Sequence, residues 1–307
     1  MRAVILLTAL AIVLTACGAC GTGSGSKKPS SSRAPSGQEQ PVKLSGLCFS
    51  PFLEQGAIGP GEVTPEQVAT LLDVIKPYTR GVRTFSSTGI GPEMVAAAKA
   101  RGLYVAAGCD LSTDPAYNEA EVSGLVELAR GGGIDLAVVG EEALYFNMMS
   151  EEQLIGYIKR VRETGVPVTT SDTWGVLIGH PRVIAECDVV MANMFPYWEL
   201  QSIGKSMDYL DSCYLKTKKA SGAKKVLVET GWPSEGETKG KAVASPANAA
   251  SFLSRFLEWA DSKDVDYYYF EAFDEPWKGT REGAVGAHWG IWNDLMQLKP
   301  GMAEVLD

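Results

Sequence analysis

The chain has 307 residues, of which 45% are hydrophobic and 21% are charged, a composition that supports a buried core and excludes a disordered polymer. Its formal charge of -9 argues against nucleic acid as a partner, because phosphate binding depends on clustered Lys and Arg. Its two histidines, His180 and His288, fall in no metal-binding pattern such as H-E-x-x-H. We therefore expect neither a metal nor another cofactor.

The first predicted element is an export signal. Residues 3–16 form an apolar run of 14 residues, which is typical of a signal-peptide core because a membrane-spanning helix needs about 20. The run ends in Leu14-Thr15-Ala16-Cys17, which resembles the bacterial lipobox, where the cysteine is lipidated and becomes the N-terminus. We predict a lipoprotein signal peptide at residues 1–16, with the exported protein lipid-anchored at the bacterial cell envelope, on the outer membrane or the cell surface. An ordinary secretory signal that ends in cysteine is the alternative.

A tether is predicted next, at residues 17–41, from Cys17 onward. Residues 18–41 contain five Gly, six Ser and three Pro and almost nothing apolar to bury, so we expect a flexible linker that spans roughly 25 to 30 Å. The charge divides at the same place. Residues 1–41 carry +3, whereas residues 42–307 hold 24 Lys and Arg against 36 Asp and Glu, a formal charge of -12.

From residue 42 onward, short apolar runs alternate with amphipathic stretches, which is the pattern of parallel strands covered by helices. Helices are predicted at residues 64–75, 150–162 and 246–259, with Thr64, Ser150 and Ser245 as their capping residues. Residues 42–307 therefore fit one α/β domain, a (β/α)8 TIM barrel, which typically takes about 250 residues, and we expect a monomer. The eight strands are predicted at residues 44–49, 81–85, 103–107, 136–139, 166–170, 189–193, 226–229 and 267–270.

Four cysteines lie within the predicted barrel: Cys48, Cys109, Cys187 and Cys213. Export permits disulfides, but four cysteines allow three pairings, and the sequence does not distinguish them. Buried free thiols are the alternative.

Acidic residues follow three of the predicted strands. Strand 4 ends in Glu141-Glu142, strand 7 in Glu229, and strand 8 in a segment that contains Glu271 and Glu275. Because barrel enzymes place their chemistry at the C-terminal ends of the strands, we expect these carboxylates to share one rim. A solvated acidic edge explains most single acids equally well, but the position of Glu229 between an apolar strand and Gly-Trp-Pro favours a functional role.

Aromatic residues accompany these carboxylates. An indole ring offers its face to the C–H face of a sugar, while the sugar hydroxyls need polar acceptors, so the combination favours carbohydrate as substrate. Each tryptophan taken alone fits packing in the core better than sugar binding, and it is their shared rim that favours a sugar-binding role. The six that follow the ends of predicted strands 5 to 8 are Trp174, Trp198, Trp232, Trp277, Trp289 and Trp292.

Five segments of the predicted barrel stand out as motifs: Gly46-Leu-Cys-Phe-Ser-Pro-Phe52, Val82-Arg-Thr-Phe85, Glu229-Thr-Gly-Trp-Pro-Ser234, Phe270-Glu-Ala-Phe-Asp-Glu-Pro-Trp-Lys278 and His288-Trp-Gly-Ile291. Together they resemble glycoside hydrolase family 17, the β-1,3-glucanase family. The resemblance covers nearly the whole predicted barrel and implies a β-glucan polysaccharide or oligosaccharide as substrate and a retaining mechanism. Carried over by motif, Glu142 is the acid/base and Glu229 is the nucleophile.

The chemistry of the two glutamates agrees with these roles. Retaining hydrolysis needs two carboxyl groups about 5 to 5.5 Å apart, which facing strands of a barrel provide. An ionised Glu229 also disfavours ionisation of Glu142 and keeps it protonated for its role as acid. The residues expected to bind substrate are Glu141, Arg83, Tyr197, Trp232, Glu275, Trp277 and Lys278; for Lys278, a structural salt bridge with Glu275 is the alternative.

Glu141 departs from the family pattern, in which an Asn precedes the acid/base and donates a hydrogen bond to the sugar 2-hydroxyl. An ionised Glu141 can only accept. Its charge is expected to raise the pKa of Glu142 or to require compensation by Arg83 or Lys278. From this we predict lower activity or a more acid optimum than is usual for the family.

Three functions remain open from the sequence. The first is a hydrolase of β-1,3-glucan such as laminarin, and the second is a transglycosylase of the same fold, in which a sugar takes the place of water. The third is a glucan-binding lipoprotein whose catalysis is compromised by Glu141.

Overall fold

The computed structural model describes residues 42–53 and 63–307, so the predicted signal peptide and tether lie outside the described residues. Eight parallel strands close into a barrel in chain order, and β1 pairs with both β2 and β8. The predicted α/β architecture, a (β/α)8 TIM barrel, is confirmed. The strands are β1 (Leu47–Cys48), β2 (Gly81–Arg83), β3 (Tyr104–Cys109), β4 (Leu136–Glu141), β5 (Val168–Thr173), β6 (Val190–Asn193), β7 (Val226–Thr230) and β8 (Tyr267–Tyr269).

The helices begin where the capping residues predict. Thr64 and Ser150 each accept a hydrogen bond from the backbone N–H three residues on, and the Gln at that position bonds back to the cap, so both ends of a capping box are present. Ser245 accepts from the N–H of Asn248. Within the described residues the helices are α1 (Pro65–Ile75), α2 (Gly91–Ala100), α3 (Pro115–Arg130), α4 (Glu151–Arg162), α5 (Trp174–Gly179), α6 (Pro181–Glu186), α7 (Ser206–Ser221), α8 (Pro246–Lys263), α9 (Gly279–Glu282) and α10 (Ala303–Leu306).

Two hydrophobic layers surround the strands. The larger lies between the outer face of the barrel and its helices, and the smaller fills the inside of the barrel. Side chains alternate between the two layers because successive residues of a strand point to opposite faces. The interior cluster consists of Cys48, Ala106, Leu136, Val138, Met191, Leu227 and Tyr268, so the barrel is a packed core and leaves its C-terminal end as the place for chemistry.

The four cysteines of the barrel are buried free thiols, which settles the question that the sequence left open in favour of packing. The helices in the described part of the chain are all too short or too polar to cross a membrane. In the same residues no group of three or more His, Cys, Asp or Glu side chains is arranged to hold a metal ion.

An irregularity at the end of β4 shapes the site. The register between β4 and β5 shifts between Val138 and Glu141, and Gly140 between them has a φ of 82°, a conformation that favours glycine. Irregularities of this kind re-aim the side chains that follow. As a result Glu141 and Glu142, which are consecutive, both face the amide of Asn193 at the end of β6.

Candidate active site

Glu229 lies at the C-terminal end of β7, fully buried, and pairs in register with Asn193 of β6. Its Oε2 is 3.6 Å from Nε of Arg83, which reaches across the barrel from β2. Burial raises the pKa of Glu229 to about 7, and Arg83 opposes part of that shift. Among the groups that favour the ionised form of Glu229 in this buried position, the guanidinium has the largest effect.

Gly231 follows β7 directly and lies against the backbone at the end of β8. A Cβ at Gly231 would meet the carbonyl oxygen of Phe270 at 1.9 Å, so no larger residue fits between the two strands. The next residue, Trp232, then points into the layer outside the barrel. The Glu-Thr-Gly-Trp motif is thus a local device that ends β7 and leaves Glu229 directed into the site.

Glu142 follows β4 in the left-handed region, with a φ of 48°. Such a conformation costs a non-glycine residue on the order of 1 to 3 kcal/mol and persists where the surroundings hold it. Here its N–H donates to the carbonyl of Ser171 at 2.8 Å, and its own carbonyl accepts from the N–H of Phe146 at 3.0 Å. The carboxyl group accepts from Nδ2 of Asn193 at 3.0 Å.

The environment keeps Glu142 protonated. Burial is the largest cause and the charge of Glu141 the second, and together they raise the pKa of Glu142 to about 8, while the hydrogen bond from Asn193 opposes them. A carboxyl group that holds its proton at neutral pH has the property required of a general acid. The expectation that Glu141 raises the pKa of Glu142 agrees with this direction.

Arg83 compensates the negative charge of Glu141. Nη2 of Arg83 forms an ion pair with Oε2 of Glu141, and Nδ2 of Asn193 donates to its other oxygen at 2.6 Å. Of the two compensating residues that the sequence suggested, Arg83 makes this contact. Lys278 instead pairs with Glu271 and Glu275.

The directions of the pKa shifts argue against the acid pH optimum that the sequence led us to expect. The pKa values of Glu142 and Glu229 are both raised, and Glu141 contributes to raising both. An acid whose pKa is raised loses its proton only at higher pH, so the pair is displaced toward neutral or alkaline pH. Glu141 moves the working range upward, opposite to the direction expected from the sequence.

A second charged cluster lies at the end of β8. Nζ of Lys278 is 2.6 Å from Oε2 of Glu271 and also pairs with Glu275, and all three side chains are buried. Ser50 and Trp277 both donate to Oε1 of Glu275, Trp277 through its indole nitrogen at 3.0 Å. The salt bridge considered for Lys278 is present. Burial opposes ionisation of Glu275, but the charge of Lys278 and the hydrogen bonds to Glu275 outweigh it and lower the pKa of Glu275.

Two residues expected to bind sugar are instead part of the core. Tyr197 and Trp232 are fully buried and pack edge to face, with ring centroids 5.7 Å apart. The Tyr197 hydroxyl donates to the carbonyl of Glu237, and the Trp232 indole donates to the carbonyl of Val243 at 3.0 Å. Neither ring offers a free face, so we correct their role to support of the loops that follow β6 and β7.

Fewer tryptophans are accessible at the rim than the sequence led us to expect. Trp289 and Trp292 are buried as well, because the segment that carries them folds back against β8. Trp174 and Trp277 are half-buried, and Trp198 is exposed at the surface. Three of the six rim tryptophans thus keep accessible surface.

Asn193 and Asp172 are site residues that the sequence reasoning did not single out. Asn193 bridges Glu141 and Glu142 and accepts from the Ser171 hydroxyl at 2.8 Å. Asp172, buried in β5, accepts from the N–H groups of Leu144 and Tyr145 at 3.0 and 3.3 Å. Both stand at the C-terminal end of a strand, and weighing every polar residue at a strand end would have found them.

Neither histidine contacts the proposed catalytic glutamates in the described structure. Nδ1 of His180 contacts the carbonyl of Val176 at 2.8 Å. Nδ1 of His288 lies 3.7 Å from Oδ2 of Asp274. Asp274 also forms an ion pair with the buried Lys299. Both have packing or hydrogen-bonding roles.

Comparisons with known proteins agree with this site. The profile of the BtgE/BtgC glycoside hydrolase domain matches residues 46–290. A glucan 1,3-beta-glucosidase of Candida albicans is 30% identical over 261 residues, which cover 74% of this chain and 83% of that protein. One of Schizosaccharomyces pombe is 31% identical over 249 residues, which cover 74% of this chain and 77% of that protein.

Among solved structures, a glycoside hydrolase family 17 β-1,3-glucanosyltransferase of Rhizomucor miehei superposes with a TM-score of 0.75 and 31% identity, over 84% of this chain and 96% of that one. An active-site mutant of the Rhizomucor miehei enzyme, in complex with laminaritriose, superposes with the same TM-score at 30% identity and the same coverage. The resemblance to family 17 that the motifs predict is confirmed.

Proposed function

The chain belongs to the BtgE/BtgC glycoside hydrolase family, and from this premise we propose that it cleaves β-1,3-glucan with Glu229 as nucleophile and Glu142 as acid/base. The observation that carries the proposal is a single hydrogen-bonded and ionic network. It runs from Glu142 through Asn193 and Glu141 to Arg83 and Glu229. The two glutamates therefore stand at one site, with opposite requirements for their protons.

The reaction proceeds in two steps. The Glu229 carboxylate attacks the anomeric carbon, the glycosidic C–O bond breaks, and the leaving oxygen takes the proton of Glu142, which leaves a covalent glycosyl-enzyme. In the second step the ionised Glu142 removes a proton from the incoming hydroxyl, which attacks the anomeric carbon and releases Glu229. Each group ends the cycle in the protonation state in which it began.

The charges around the site support this division of roles. Arg83 is the cationic partner of Glu229 in the described residues, and it stabilises the carboxylate that attacks. Glu142 has no cationic partner in the described structure and lies beside Glu141, which favours its neutral form. Exchange of the two roles would place the proton donor next to the guanidinium.

Glu141 is proposed to bind the sugar 2-hydroxyl as an acceptor. Its carboxylate is partly exposed and is held from behind by Arg83 and Asn193. The hydroxyl proton can be donated to it, in place of the hydrogen bond that an Asn would donate to the hydroxyl oxygen. Lys278, Glu275 and Trp277 are proposed to contact sugar from the end of β8, with Lys278 acting mainly by holding the two glutamates.

Transfer to a sugar acceptor is the second candidate activity. It is favoured by the two Rhizomucor miehei structures, which are named as a β-1,3-glucanosyltransferase and match over 96% of their length. Hydrolysis and transfer share the glycosyl-enzyme and differ only in the hydroxyl that resolves it. Catalytic residues therefore do not separate them.

Product sizing tests the proposal. The purified domain, residues 42–307, is incubated with laminarin and with laminarihexaose, and the products are sized by mass spectrometry. Both activities release a shorter sugar in the first step, so shorter products alone indicate hydrolysis, and additional products longer than the starting sugar indicate transfer. Mixed-linkage and β-1,6-glucans serve as controls for linkage. Binding of laminarin without any cleavage would overturn the catalytic proposal and favour a glucan-binding lipoprotein.

We further propose that the protein is exported, lipid-anchored through Cys17, and monomeric. The support is the apolar run of residues 3–16, the sequence Leu14-Thr15-Ala16-Cys17 and the Gly, Ser and Pro-rich tether. Expression of the full chain in a bacterium with labelled palmitate tests the anchor: label should enter the wild type and not Cys17→Ala. Equal labelling of both would overturn the anchor, and light scattering of the soluble domain tests the oligomeric state.

A further inference from the structure

An exposed aromatic pair follows the acid/base in the chain. Tyr145 is 52% exposed and Phe146 is 57% exposed, and their rings meet edge to face with centroids 4.9 Å apart. Large apolar side chains that stay in water without a packing partner on their outer side often mark a binding surface. We call Tyr145 and Phe146 the aromatic pair.

The aromatic pair lies on the catalytic end of the barrel. Its residues belong to the segment between β4, which ends at Glu141, and α4, which begins at Glu151. Segments that lead from a strand to the next helix stand at the C-terminal end of the barrel, where substrates bind. One hydrogen-bonded turn, from the Phe146 N–H to the Glu142 carbonyl at 3.0 Å, joins the pair to the proposed acid/base.

The turn that carries the aromatic pair is fixed in place. The buried carboxylate of Asp172 accepts from the N–H groups of Leu144 and Tyr145 at 3.0 and 3.3 Å, and from the N–H of Thr173 at 2.7 Å. Leu144, between the exposed residues and Glu142, packs on the core. A surface whose backbone is already ordered loses little further entropy when it binds a ligand.

The chemistry of the reaction identifies the occupant. The acid/base protonates the oxygen of the leaving group, and the aromatic pair is joined to it within one turn of chain, so the leaving sugar is the part of the substrate nearest to the pair in the proposed reaction. Sugar rings present C–H faces that pack on aromatic rings, and their hydroxyls stay solvated at an exposed surface. Acidic residues of the barrel, which carries a formal charge of -12, argue against an anionic occupant.

We propose that Tyr145 and Phe146 form a sugar-binding surface for the leaving-group side of the glucan. The proposal rests on the proposed function, since Glu142 defines which side is which. The same surface binds the acceptor when a sugar resolves the glycosyl-enzyme, because the acceptor enters where the leaving group departed. The aromatic pair thereby favours transfer over hydrolysis.

The test compares the wild type with the double variant Tyr145→Ala/Phe146→Ala. With laminarihexaose we expect KM to rise roughly tenfold, equivalent to about 1.4 kcal/mol, and the ratio of transfer to hydrolysis products to fall. With the 2,4-dinitrophenyl glycoside of laminaribiose, whose leaving group needs neither a proton nor a sugar subsite, we expect the variant to keep the KM of the wild type.

Tyr104→Ala is the matched control. Tyr104 is 46% exposed, but it is the first residue of β3 and so lies at the opposite end of the barrel. We expect its KM and product ratio to equal those of the wild type. If the alanine variant melts well below the wild type, Tyr145→Leu/Phe146→Leu takes its place, since leucine keeps apolar bulk and removes the aromatic faces.

The outcomes are distinct. An active wild type whose KM for laminarihexaose and product ratio are unchanged in the double variant overturns the inference and leaves the proposed function intact. A wild type that neither shortens nor elongates laminarihexaose overturns both. An equal loss of activity on the hexaose and on the dinitrophenyl glycoside shows general damage to the site or the fold and counts against a sugar-binding role.

Discussion

Arg83 and Glu141 form an ion pair beside the proposed nucleophile, on the side where the Arg83 Nε approaches Glu229 to 3.6 Å. The guanidinium is therefore shared between the two carboxylates, and burial makes each contact stronger than it would be in water. This arrangement lets the chain tolerate a carboxylate where the family pattern has an amide. It also links the pKa of each proposed catalytic residue to the charge of Glu141.

Removal of the two catalytic carboxylates should separate their roles. We expect Glu229→Gln to lose nearly all activity on every substrate, because no other group can form the glycosyl-enzyme. Glu142→Gln should lose roughly 10²- to 10⁴-fold on laminarihexaose, the usual contribution of general acid catalysis. Its kcat/KM on the dinitrophenyl laminaribioside should fall far less, because that constant reports the first step and this leaving group needs no proton. Measurement of kcat/KM on both substrates gives the contrast.

The control for these variants is Glu235→Gln, which removes an exposed carboxylate from the segment after β7. Its rates should equal those of the wild type. Full turnover of laminarihexaose by Glu142→Gln or by Glu229→Gln would show that the assignment is wrong.

The pH profile should reflect the raised pKa values. Activity needs Glu229 ionised, so it rises with pH through the pKa of that group, about 7, and needs Glu142 protonated, so it falls through a pKa of about 8. We expect kcat/KM to peak between these values, at neutral to slightly alkaline pH, when it is measured from pH 4 to pH 10. A peak near pH 5 would contradict the raised values.

Glu141→Asn tests the origin of that shift. Its negative charge raises the pKa of both catalytic groups, so its removal should move both limbs of the profile to lower pH. The Arg83 guanidinium, released from its partner, should lower the pKa of Glu229 further. An unchanged rate and an unchanged profile would show that Glu141 has no electrostatic influence on the site.

Asn193→Ala should weaken catalysis without removing it. The amide donates to both Glu141 and Glu142, and loss of a hydrogen bond to a charged or polar partner in a buried site costs about 1.5 to 3 kcal/mol. We expect kcat to fall roughly 10- to 150-fold on that scale. The alkaline limb of the pH profile should move to higher pH. The hydrogen bond from Asn193 lowers the pKa of Glu142, so its loss raises that pKa. A fall in kcat with no movement of the limb would indicate a structural role alone.

Lys278→Met should destabilise the fold. It leaves Glu271 and Glu275 buried without their cation, and breaking a buried ion pair from one side costs about 3 to 5 kcal/mol. For a domain of this size we expect the Tm to fall by roughly 10 °C. Lys225→Met is the control, because its partner Asp266 is exposed and such pairs contribute about 0 to 1 kcal/mol. Equal Tm values for the two variants would contradict the proposed importance of the cluster.

The barrel was predictable because its strands are continuous apolar runs bounded by turn residues and its helices start at clear caps. The position of the proposed catalytic glutamates at the rim was predictable because they stand at the ends of such runs, whereas their roles came from the resemblance to family 17. The partners of Glu142 were not, since Asn193 is 51 residues away in the chain and the register of β4 is irregular. The burial of Trp232 was also hidden, because only packing against Phe252 of α8 shows which way the indole points.

Closure of the barrel joins the two ends of the domain, since Leu47 of β1 is the register partner of Tyr269 of β8. The hydrogen bond between Ser50 and Glu275 spans 225 positions of the chain. Contacts of such long sequence separation form late and make folding slow. Glu275 can therefore accept the hydrogen bond from Ser50 only when β1 and β8 pair. A chain truncated at either end would leave the charged cluster of Glu271, Glu275 and Lys278 at the edge of an open sheet. Glucan cleavage in an assay would therefore indicate that the barrel of the polypeptide has closed.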